Sequence, residues 1–458
     1  MKFCPTSVPT IKGEDNLEGD ISKSPGNISP EDLTDEVFDY IYCKGAVPKE
    51  SKINIEILDK CKGEFRYWYP MDLRVSAKDL IPNHLTMALY NHAAVWEDEP
   101  DLWPRGYYCN GHVLVDGEKM SKSKGNFLMM DDTVNKFSAD ATRFACADAG
   151  DSLDDANFSR DTADAAILSL CNEETWIKDV LSLTGLRNGI GELNFMDKVM
   201  LNEISRLIKL TSISFSTMQF REGIQNGWFQ MLLARNEYRS WCESSEIPMN
   251  KDIVRRWFES IVIMICPVCP HWSENIWKQI GKEGLAVKAP WPEAQEEDKL
   301  LTRQAKFLRD SLKHFRGQAG KARKGWKVVS ILLTDSYPQW KVDVLVWMQS
   351  KYDCGFPSDF MKQLKVWSAS LPDKKLIKLV MQFASFTKRE VEEVGLMAME
   401  TSLPFDQSAI IEESLKYIKE QINVKNIDVI KLDDVSDSSI PVRTSQNVGP
   451  GKPSLWIR

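Results

Sequence analysis

The chain of 458 residues lacks long apolar runs. Its longest uninterrupted apolar stretch is Ile261 to Cys266, whereas a helix that crosses a bilayer needs about 20 apolar residues. The first ten residues also lack the apolar segment that is typical of a secretory signal peptide. We therefore expect no membrane partner and a cytoplasmic location.

Histidine is scarce, and paired cysteines are scarcer. None of the five histidines forms an H-x-x-H pair. Cys266 and Cys269 form the one C-x-x-C, inside an apolar stretch that contains Pro267 and Pro270. A structural zinc site needs a second ligand pair, and a disulfide framework needs ordered cysteine spacings. We interpret the two cysteines as buried structural residues and predict no protein-bound metal.

Positive charge does not dominate either. The chain has 58 Lys and Arg against 66 Asp and Glu, for a net charge of -8. This balance argues against a generally basic coat for nucleic acid, although local patches decide RNA binding. No G-x-x-x-x-G-K-[ST] pattern exists, which excludes a P-loop.

One short segment concentrates lysine: Lys119-Met120-Ser121-Lys122-Ser123-Lys124-Gly125-Asn126. Lys carries a point charge on a flexible stem, which suits it to a phosphate whose geometry changes during reaction. His112 to Val115 predicts a strand before this loop, with Asp116-Gly117 as a tight turn. Asp131 and Asp132 predict the N-cap and first turn of the next helix. A solvated surface loop is the alternative on composition alone.

A strand, a loop and a helix are predicted before the lysine segment. Met71, Leu73 and Val75 alternate with polar residues, and apolar residues from 85 to 96 recur at helical spacing. Ligands of open α/β sheets bind where strands end and helices begin, which is where Lys78, Asp79 and His84 occur. Asp79 is a candidate for ribose hydroxyls, and His84 for a bound amino acid or nucleotide. Both also fit structural roles in the first helical turn.

The order K-M-S-K-S resembles the second signature of the class I aminoacyl-tRNA synthetases. The flanking segments resemble one branch, the eukaryotic-type cytosolic leucyl-tRNA synthetases. They are the segment from Trp68 to Leu85, the segment from Phe137 to Phe144, and Ala147-Asp148-Ala149-Gly150-Asp151 with Asp154 to Phe158. The similarity extends, with fading strength, from about residue 15 to the end.

The resemblance implies ATP-dependent activation of leucine and its transfer to tRNA(Leu), with Mg²⁺ accompanying ATP. Lys119 and Lys122 would be catalytic. The ATP-binding set would be Met120, Ser121, Lys122, Ser123, Asp79 and His84. Two departures matter: the family's first signature, H-I-G-H-like, is missing, and Ala77 replaces a usual glycine. The editing domain is also missing, so the chain looks like a C-terminal portion of the family.

We predict a multidomain chain. A loop-rich lead-in (1–64) precedes a partial α/β region, the second half of the class I nucleotide-binding fold (65–157). An all-α anticodon-binding bundle (158–290) and a truncated α+β tRNA-binding extension (300–458) follow. Further helices and strands are predicted at 53–60, 328–334, 341–350, 408–421 and 427–432.

Several cations are candidates for RNA phosphates. They are Arg221, Arg235, Arg239, Arg255 and Arg256 in the bundle, and Lys321, Arg323 and Lys324 in a basic stretch from 306 to 327. Each bundle arginine also fits a solvated face or a salt bridge. The basic stretch contains Gly317, Gly320 and Gly325, so a flexible linker is an equal alternative.

Two functions follow from these observations. The first is a leucine–tRNA ligase, and the second is a non-catalytic fragment that binds tRNA or other proteins of a synthetase complex. The missing first signature favours the second. Half of a parallel sheet would expose an apolar edge, which predicts poor solubility or a partner such as a complementing chain.

Overall fold

The structure is a computed structural model that describes residues 28–120, 123, 125–183, 185–189, 191–321, 329–371, 374–433 and 448–458. It divides into two compact units. The first contains the residues up to 128 together with 149–160, and the second contains 129–148 and 161–458.

Two helices open the first unit. They are α1 (Asp35–Tyr42) and α2 (Ile55–Trp68), and the Asn54 side chain caps α2 by accepting a hydrogen bond from the Glu56 amide. Val37, Leu58 and other buried side chains form a small core between them. The predicted helix at 53–60 is confirmed, and it continues eight residues further because Cys61 and Phe65 extend the buried face.

Two small sheets follow in the same unit. Strand β1 (Arg74–Ala77) leads through a helical turn (Ile81–Leu85) to α3 (Thr86–Val95) and pairs in parallel with β2 (Tyr107–Asn110). The second sheet has the order β4-β3-β5, with β3 (Val113–Val115), β4 (Glu118–Lys119) and β5 (Ala156–Phe158). The strand predicted from Met71 is shorter than expected, because pairing with β2 begins at Arg74.

The first unit exposes large apolar side chains. Tyr67 is 79% exposed and Tyr90 68%, and Val75 on β1 is 59% exposed. Helix α3 contains no buried residue, although Leu85 and Trp96, at the two ends of the apolar spacing that predicted it, are buried. His92 is half-buried and stacks on Tyr69 with ring centroids 5.9 Å apart.

The second unit begins with α4 (Met130–Phe137) and α5 (Ala139–Ala149). Met129, rather than Asp131, is the N-cap of α4, while Asp131 and Asp132 occupy its first turn as predicted. The bundle continues with α6 (Arg160–Ser182), α7 (Phe195–Ser216), α8 (Phe220–Ile224), α9 (Met231–Ser245), α10 (Lys251–Ile265) and α11 (Pro270–Gln279). The predicted helical region is confirmed.

The bundle core contains several tryptophans. Trp228 packs edge-on against Trp272 with centroids 5.2 Å apart, and Trp257 packs in the same way against Trp176 at 5.2 Å. Ile253, Trp257, Ile261 and Ile265 are all buried, as expected for a central helix. Cys266 and Cys269 are also buried, and neither forms a disulfide.

Residues 299–321 form one helix, α12 (Lys299–Lys321). A flexible linker over 306–321 is therefore wrong, since Phe307, Leu308, Leu312 and Phe315 give this stretch a continuous buried face. Several of its cations already have partners. Arg309 donates to Glu237 on α9 at 2.6 Å, and Arg303 donates to the Met397 carbonyl oxygen at 2.6 Å.

The tail is α+β. Its sheet has the order β7-β6-β8, with β6 (Val329–Leu333), β7 (Ile427–Lys431) and β8 (Ser454–Ile457); β7 is parallel and β8 antiparallel to β6. Helices α13 (Gln339–Ser350), α14 (Phe360–Ala369) and α15 (Ile377–Val394) form a second core. The helix predicted at 408–421 is two helices, α16 (Gln407–Glu413) and α17 (Leu415–Gln421), divided at Ser414.

The predicted order of α/β, all-α and α+β regions is confirmed. Within the described residues, no helix is both long and apolar enough to cross a bilayer.

Candidate functional site

The first candidate residues lie directly after β1. A short helical turn (Lys78–Leu80) carries Asp79, whose side chain is exposed. His84 lies on the following turn, and Arg74 Nη2 on β1 is 3.3 Å from its Nε2. Because a guanidinium only donates, this contact favours the His84 tautomer with its proton on Nδ1.

Asp155 joins this turn to the start of β3. The Lys78 ammonium lies 2.8 Å from Asp155 Oδ1, and the His112 amide donates to the same oxygen at 2.9 Å. His112 Nδ1 is 3.3 Å from Asp155, and His112 Nε2 is 3.8 Å from Asp79. The four side chains form a connected polar cluster at the end of β1.

Contacts with cations and amides stabilise the ionised form of Asp155. The Lys78 hydrogen bond, followed by the His112 amide, lowers the pKa of Asp155 to about 2. Lys78 also donates to the Leu153 carbonyl oxygen at 3.0 Å, so the turn that carries Asp79 is held at two points. Asp79 itself keeps its carboxylate oxygens open to solvent and to a ligand.

Gly111 allows the chain to pass close to this cluster. A methyl group at position 111 would lie 2.0 Å from the Asp154 carbonyl oxygen, which is an impossible contact. The Gly111 amide donates to the Ser152 carbonyl oxygen at 3.0 Å, so the two segments are in direct backbone contact. The glycine therefore sets the distance at which His112 reaches Asp155.

The lysine loop leaves from a β-hairpin that β5 holds in place. Asp116 and Gly117 both have positive φ, 49° and 82°, as a tight hairpin turn requires. The Gly117 amide donates to Asn157 Oδ1 at 2.7 Å, and the Arg160 amide donates to Asp116 Oδ1 at 3.1 Å. The predicted strand and turn are confirmed.

At the end of the hairpin, Lys119 on β4 is exposed, and Met120 after it is half-buried. Asn126 Nδ2 donates to the Lys119 carbonyl oxygen at 3.2 Å, which closes the base of the loop. Ser123 is exposed. Ser121, Lys122 and Lys124 lie outside the described residues, and the proposed role of Lys122 stays a prediction.

Two members of the cluster, His112 and Asp155, had no role assigned from the sequence. Asp155 lies within the segment from Asp154 to Phe158 that resembles the family, and His112 begins a predicted strand. The signal that would have found them is the proximity of residues 43 positions apart, which the pairing of β3 with β5 creates.

Ala77, the departure from the family pattern, fits its position without strain. Its φ of -81° and ψ of 152° are extended values that any residue adopts. The backbone at this position does not require glycine.

The predicted RNA-binding arginines have protein partners. Arg255 donates to Glu259 at 2.7 Å on the solvent face of α10, and Arg256 donates to Ser205 at 3.2 Å and to the Glu293 carbonyl oxygen at 3.1 Å. Arg235 is buried and pairs with Glu173 at 2.8 Å, so a phosphate contact for Arg235 is wrong. Arg323 and Lys324 lie outside the described residues, as does the side chain of Lys321.

Comparisons with known proteins agree on one family. Residues 51–174 match the model for tRNA synthetases class I (M), and residues 197–330 match the model for the anticodon-binding domain of tRNA ligase. The cytoplasmic leucine–tRNA ligase of Arabidopsis thaliana is 35% identical over 95% of this chain. The chain is therefore similar to the leucyl-tRNA synthetases over nearly its whole length.

Other relatives extend this similarity within the leucyl-tRNA synthetases. The cytoplasmic leucine–tRNA ligase of Pongo abelii is 35% identical over 96% of this chain, and the leucine–tRNA ligase of Aeropyrum pernix is 38% identical over 59%. The chain covers 42% of the Arabidopsis protein and 38% of the Pongo protein, and so spans about two fifths of the relatives it matches.

Proposed function

We propose that this chain takes part in forming leucyl-tRNA, through ATP-dependent activation of leucine and its transfer to tRNA(Leu). The observation that carries the proposal is 35% identity to leucine–tRNA ligases over 95% of the chain. The sequence Lys119-Met120-Ser121-Lys122-Ser123 adds the family's second signature.

Asp79 is proposed to bind the ribose of ATP. Its exposed carboxylate can accept hydrogen bonds from two ribose hydroxyls. Lys78, Asp155 and His112 act as positioning residues, because their contacts hold the turn on which Asp79 lies. His84, exposed on the next turn, is proposed to contact the bound nucleotide or leucine.

Lys122 and Lys119 are proposed to stabilise the reacting phosphates. Attack of the leucine carboxylate on the α-phosphate forms a new P–O bond and releases pyrophosphate, and negative charge builds on phosphoryl oxygens. A lysine placed against that charge lowers the barrier electrostatically. Met120, Ser121 and Ser123 belong to the same signature and are proposed to contribute to ATP binding.

Mg²⁺ accompanies ATP in the class I synthetases. Among the described residues, no group of three His, Cys, Asp or Glu side chains is arranged to hold a metal ion. Mg²⁺ prefers substrate phosphates and water as ligands, so we propose that it arrives with ATP.

The test is leucine-dependent exchange of labelled pyrophosphate into ATP by the purified chain. We expect exchange in the unaltered chain and a loss on the order of 100-fold in Lys122→Ala, the typical cost of removing one transition-state contact. The matched control is Lys52→Ala, which removes an exposed lysine of the same unit, 3.8 Å from Asp32. Exchange that survives Lys122→Ala would refute the role of the loop.

A non-catalytic tRNA-binding fragment is the second candidate. The observation that favours it is the absence of any H-x-x-H pair among the five histidines. The match of residues 197–330 to an anticodon-binding domain supports binding of tRNA(Leu) in either case. No exchange, with tRNA still retained on the chain, would select this candidate.

A complementing chain or another synthetase-complex protein is proposed as a further partner. The exposed apolar side chains of the first unit support it, with Tyr67, Tyr90 and Val75 among the most exposed. Light scattering of the purified chain tests this proposal. A purified chain that stays monomeric and does not aggregate would contradict it.

A further inference from the structure

A cavity of about 320 Å³ opens in the second unit. Helices α12, α13 and α15 line it, together with the turn from Gly449 to Lys452. Its volume falls in the range of small-ligand pockets, roughly 300–1,000 Å³. Nothing in the proposed activation of leucine uses it.

The cavity is positively charged although the chain as a whole is negative. Its walls carry five cationic side chains and two carboxylates: Arg303, Lys306, Lys341, Arg389 and Lys452 against Asp310 and Glu390. In a chain of net charge -8, this excess marks a local site for an anion.

Three of these cations make no ion pair within the described parts of the chain: Lys341, Arg389 and Lys452. Lys341 is half-buried, and burial together with the charge of Lys452 lowers its pKa. Two ammonium groups that face the same cavity repel one another, and a bound anion would relieve the repulsion. Arg303, by contrast, is occupied by the Met397 carbonyl oxygen.

The same cavity has an aromatic wall. Tyr337, Phe383, Phe386 and Phe405 line it, and Phe386 is 51% exposed. The Lys452 ammonium lies 4.3 Å from the Phe386 ring centroid, and the Lys341 ammonium lies 5.4 Å from that of Phe383. Of these four rings, Phe386 is exposed and the other three are half-buried. Cations beside an accessible aromatic ring are the combination with which proteins bind unpaired nucleotides, through phosphate contacts and base stacking.

The position of the cavity indicates the source of the nucleotide. Helix α12, which contributes Arg303, Lys306 and Phe307, lies within the residues that match an anticodon-binding domain. We propose that the cavity binds one unpaired nucleotide of an RNA, with its phosphate at Lys341 and Lys452 and its base against the aromatic wall. This inference rests on the proposed binding of tRNA.

The test measures binding of a fluorescein-labelled single-stranded RNA to the full chain by anisotropy at several salt concentrations. In the double variant Lys341→Gln/Lys452→Gln, we expect affinity to fall about tenfold. The slope of log K against log salt should become shallower by about 0.7 for each phosphate that the variant no longer neutralises. The matched control, Lys351→Gln/Lys365→Gln, removes two exposed lysines outside the cavity. It should change the affinity and the salt slope less than the cavity variant does.

Two further variants separate binding from folding. Lys452→Gln alone changes an exposed side chain and should still weaken binding, with thermal unfolding unchanged. Phe386→Ala should weaken binding about tenfold because it removes the stacking surface, without altering the salt slope. A bromouridine placed in the RNA should crosslink to the peptide that contains Phe383 and Phe386.

The outcomes distinguish this inference from the proposed function. RNA binding that is equal in the cavity variant and its control overturns the inference alone. Absence of any RNA binding by the unaltered chain overturns the proposed tRNA function as well. Competition by AMP at micromolar concentration, or by oligoglutamate as effectively as by RNA, assigns the cavity to a free nucleotide or an acidic peptide and overturns the RNA inference.

Discussion

The two units differ in how they use apolar side chains. The first exposes Tyr67, Val75 and Tyr90 and contains helix α3, none of whose residues is buried. The second buries Trp228, Trp241 and Trp257 completely. A unit with little buried core gains little hydrophobic free energy, since that free energy scales with the apolar area removed from water. We therefore expect the bundle to contribute most of the stability of the chain.

One ion pair from each unit shows a second difference. In the first unit, Arg105 and Asp72 are 2.8 Å apart with both side chains mostly exposed. In the second, Arg235 and Glu173 are also 2.8 Å apart, but both are buried. The guanidinium of Arg235 lies 4.0 Å from the Trp176 ring centroid and 4.9 Å from that of Trp257. The two ion pairs have the same length, but breaking the buried pair should cost more free energy of unfolding than breaking the exposed one.

The largest expected effect is in the bundle core. Trp257→Ala removes a buried ring and its hydrogen bond to the Met231 carbonyl oxygen, and should lower the free energy of unfolding by about 3–5 kcal/mol. Tyr67→Ala in the first unit should change it by less than about 0.5 kcal/mol. Urea unfolding followed by circular dichroism measures both. Equal costs would break the comparison.

A buried charge comes next. Glu173→Gln leaves the Arg235 guanidinium without a neutralising carboxylate, and should cost about 3 kcal/mol. Asp72→Asn, which breaks the exposed pair with Arg105, should cost less than about 1 kcal/mol. The same urea titrations apply. A cost for Glu173→Gln as small as that for Asp72→Asn would mean that water reaches the pair.

The first unit has its own sensitive position at Gly111. Gly111→Ala should destabilise that unit by about 2 kcal/mol, because the added methyl group overlaps the Asp154 carbonyl oxygen. Gly63→Ala, in helix α2 with nothing within 4 Å, should instead stabilise by about 0.5–1 kcal/mol. Hydrogen exchange by mass spectrometry should show faster exchange confined to the first unit. Faster exchange throughout the bundle would contradict this.

The smallest effect concerns acid. The pKa of Asp155 is about 2 in the folded chain and near 4 when unfolded, so the folded state favours the ionised carboxylate. Its contribution to stability is present above about pH 4 and is lost as the pH falls toward 2. Thermal unfolding between pH 5 and 2 should show a weaker acid dependence in Asp155→Asn. If the melting temperature falls equally with pH in the variant and the unaltered chain, the Asp155 carboxylate does not contribute to the acid dependence of stability.

Periodicity predicted the elements that carry their own apolar pattern, such as α13 and β6. It did not predict the two helices α14 and α15, which complete a core whose other members lie on α13 and in the segment from 395 to 399. Local sequence also misled at the basic stretch after 306. Its glycines indicated flexibility, whereas the buried face of α12 and the partner Glu237, 72 residues earlier, hold it as a helix.

The candidate site was predicted to a similar extent. Asp79, His84 and Lys119 were proposed from the sequence because they are adjacent to recognisable motifs, and their roles stay predictions. His112 and Asp155 were not, because a contact between strands far apart in sequence brings them to Lys78. The cationic cavity of the tail depends even more on long-range packing, since Lys341 and Lys452 come from opposite ends of that region.

The strand order of the tail sheet also affects how the chain emerges from the ribosome. Strand β6 ends at Leu333, but its partners begin at Ile427 and Ser454. At elongation rates of roughly 5–20 residues per second, several seconds pass between synthesis of the five buried residues of β6 and synthesis of its partner strands. During that interval an apolar strand with two open edges is available to chaperones or to other nascent chains. Assembly of the tail is therefore a late event in the life of each newly made molecule.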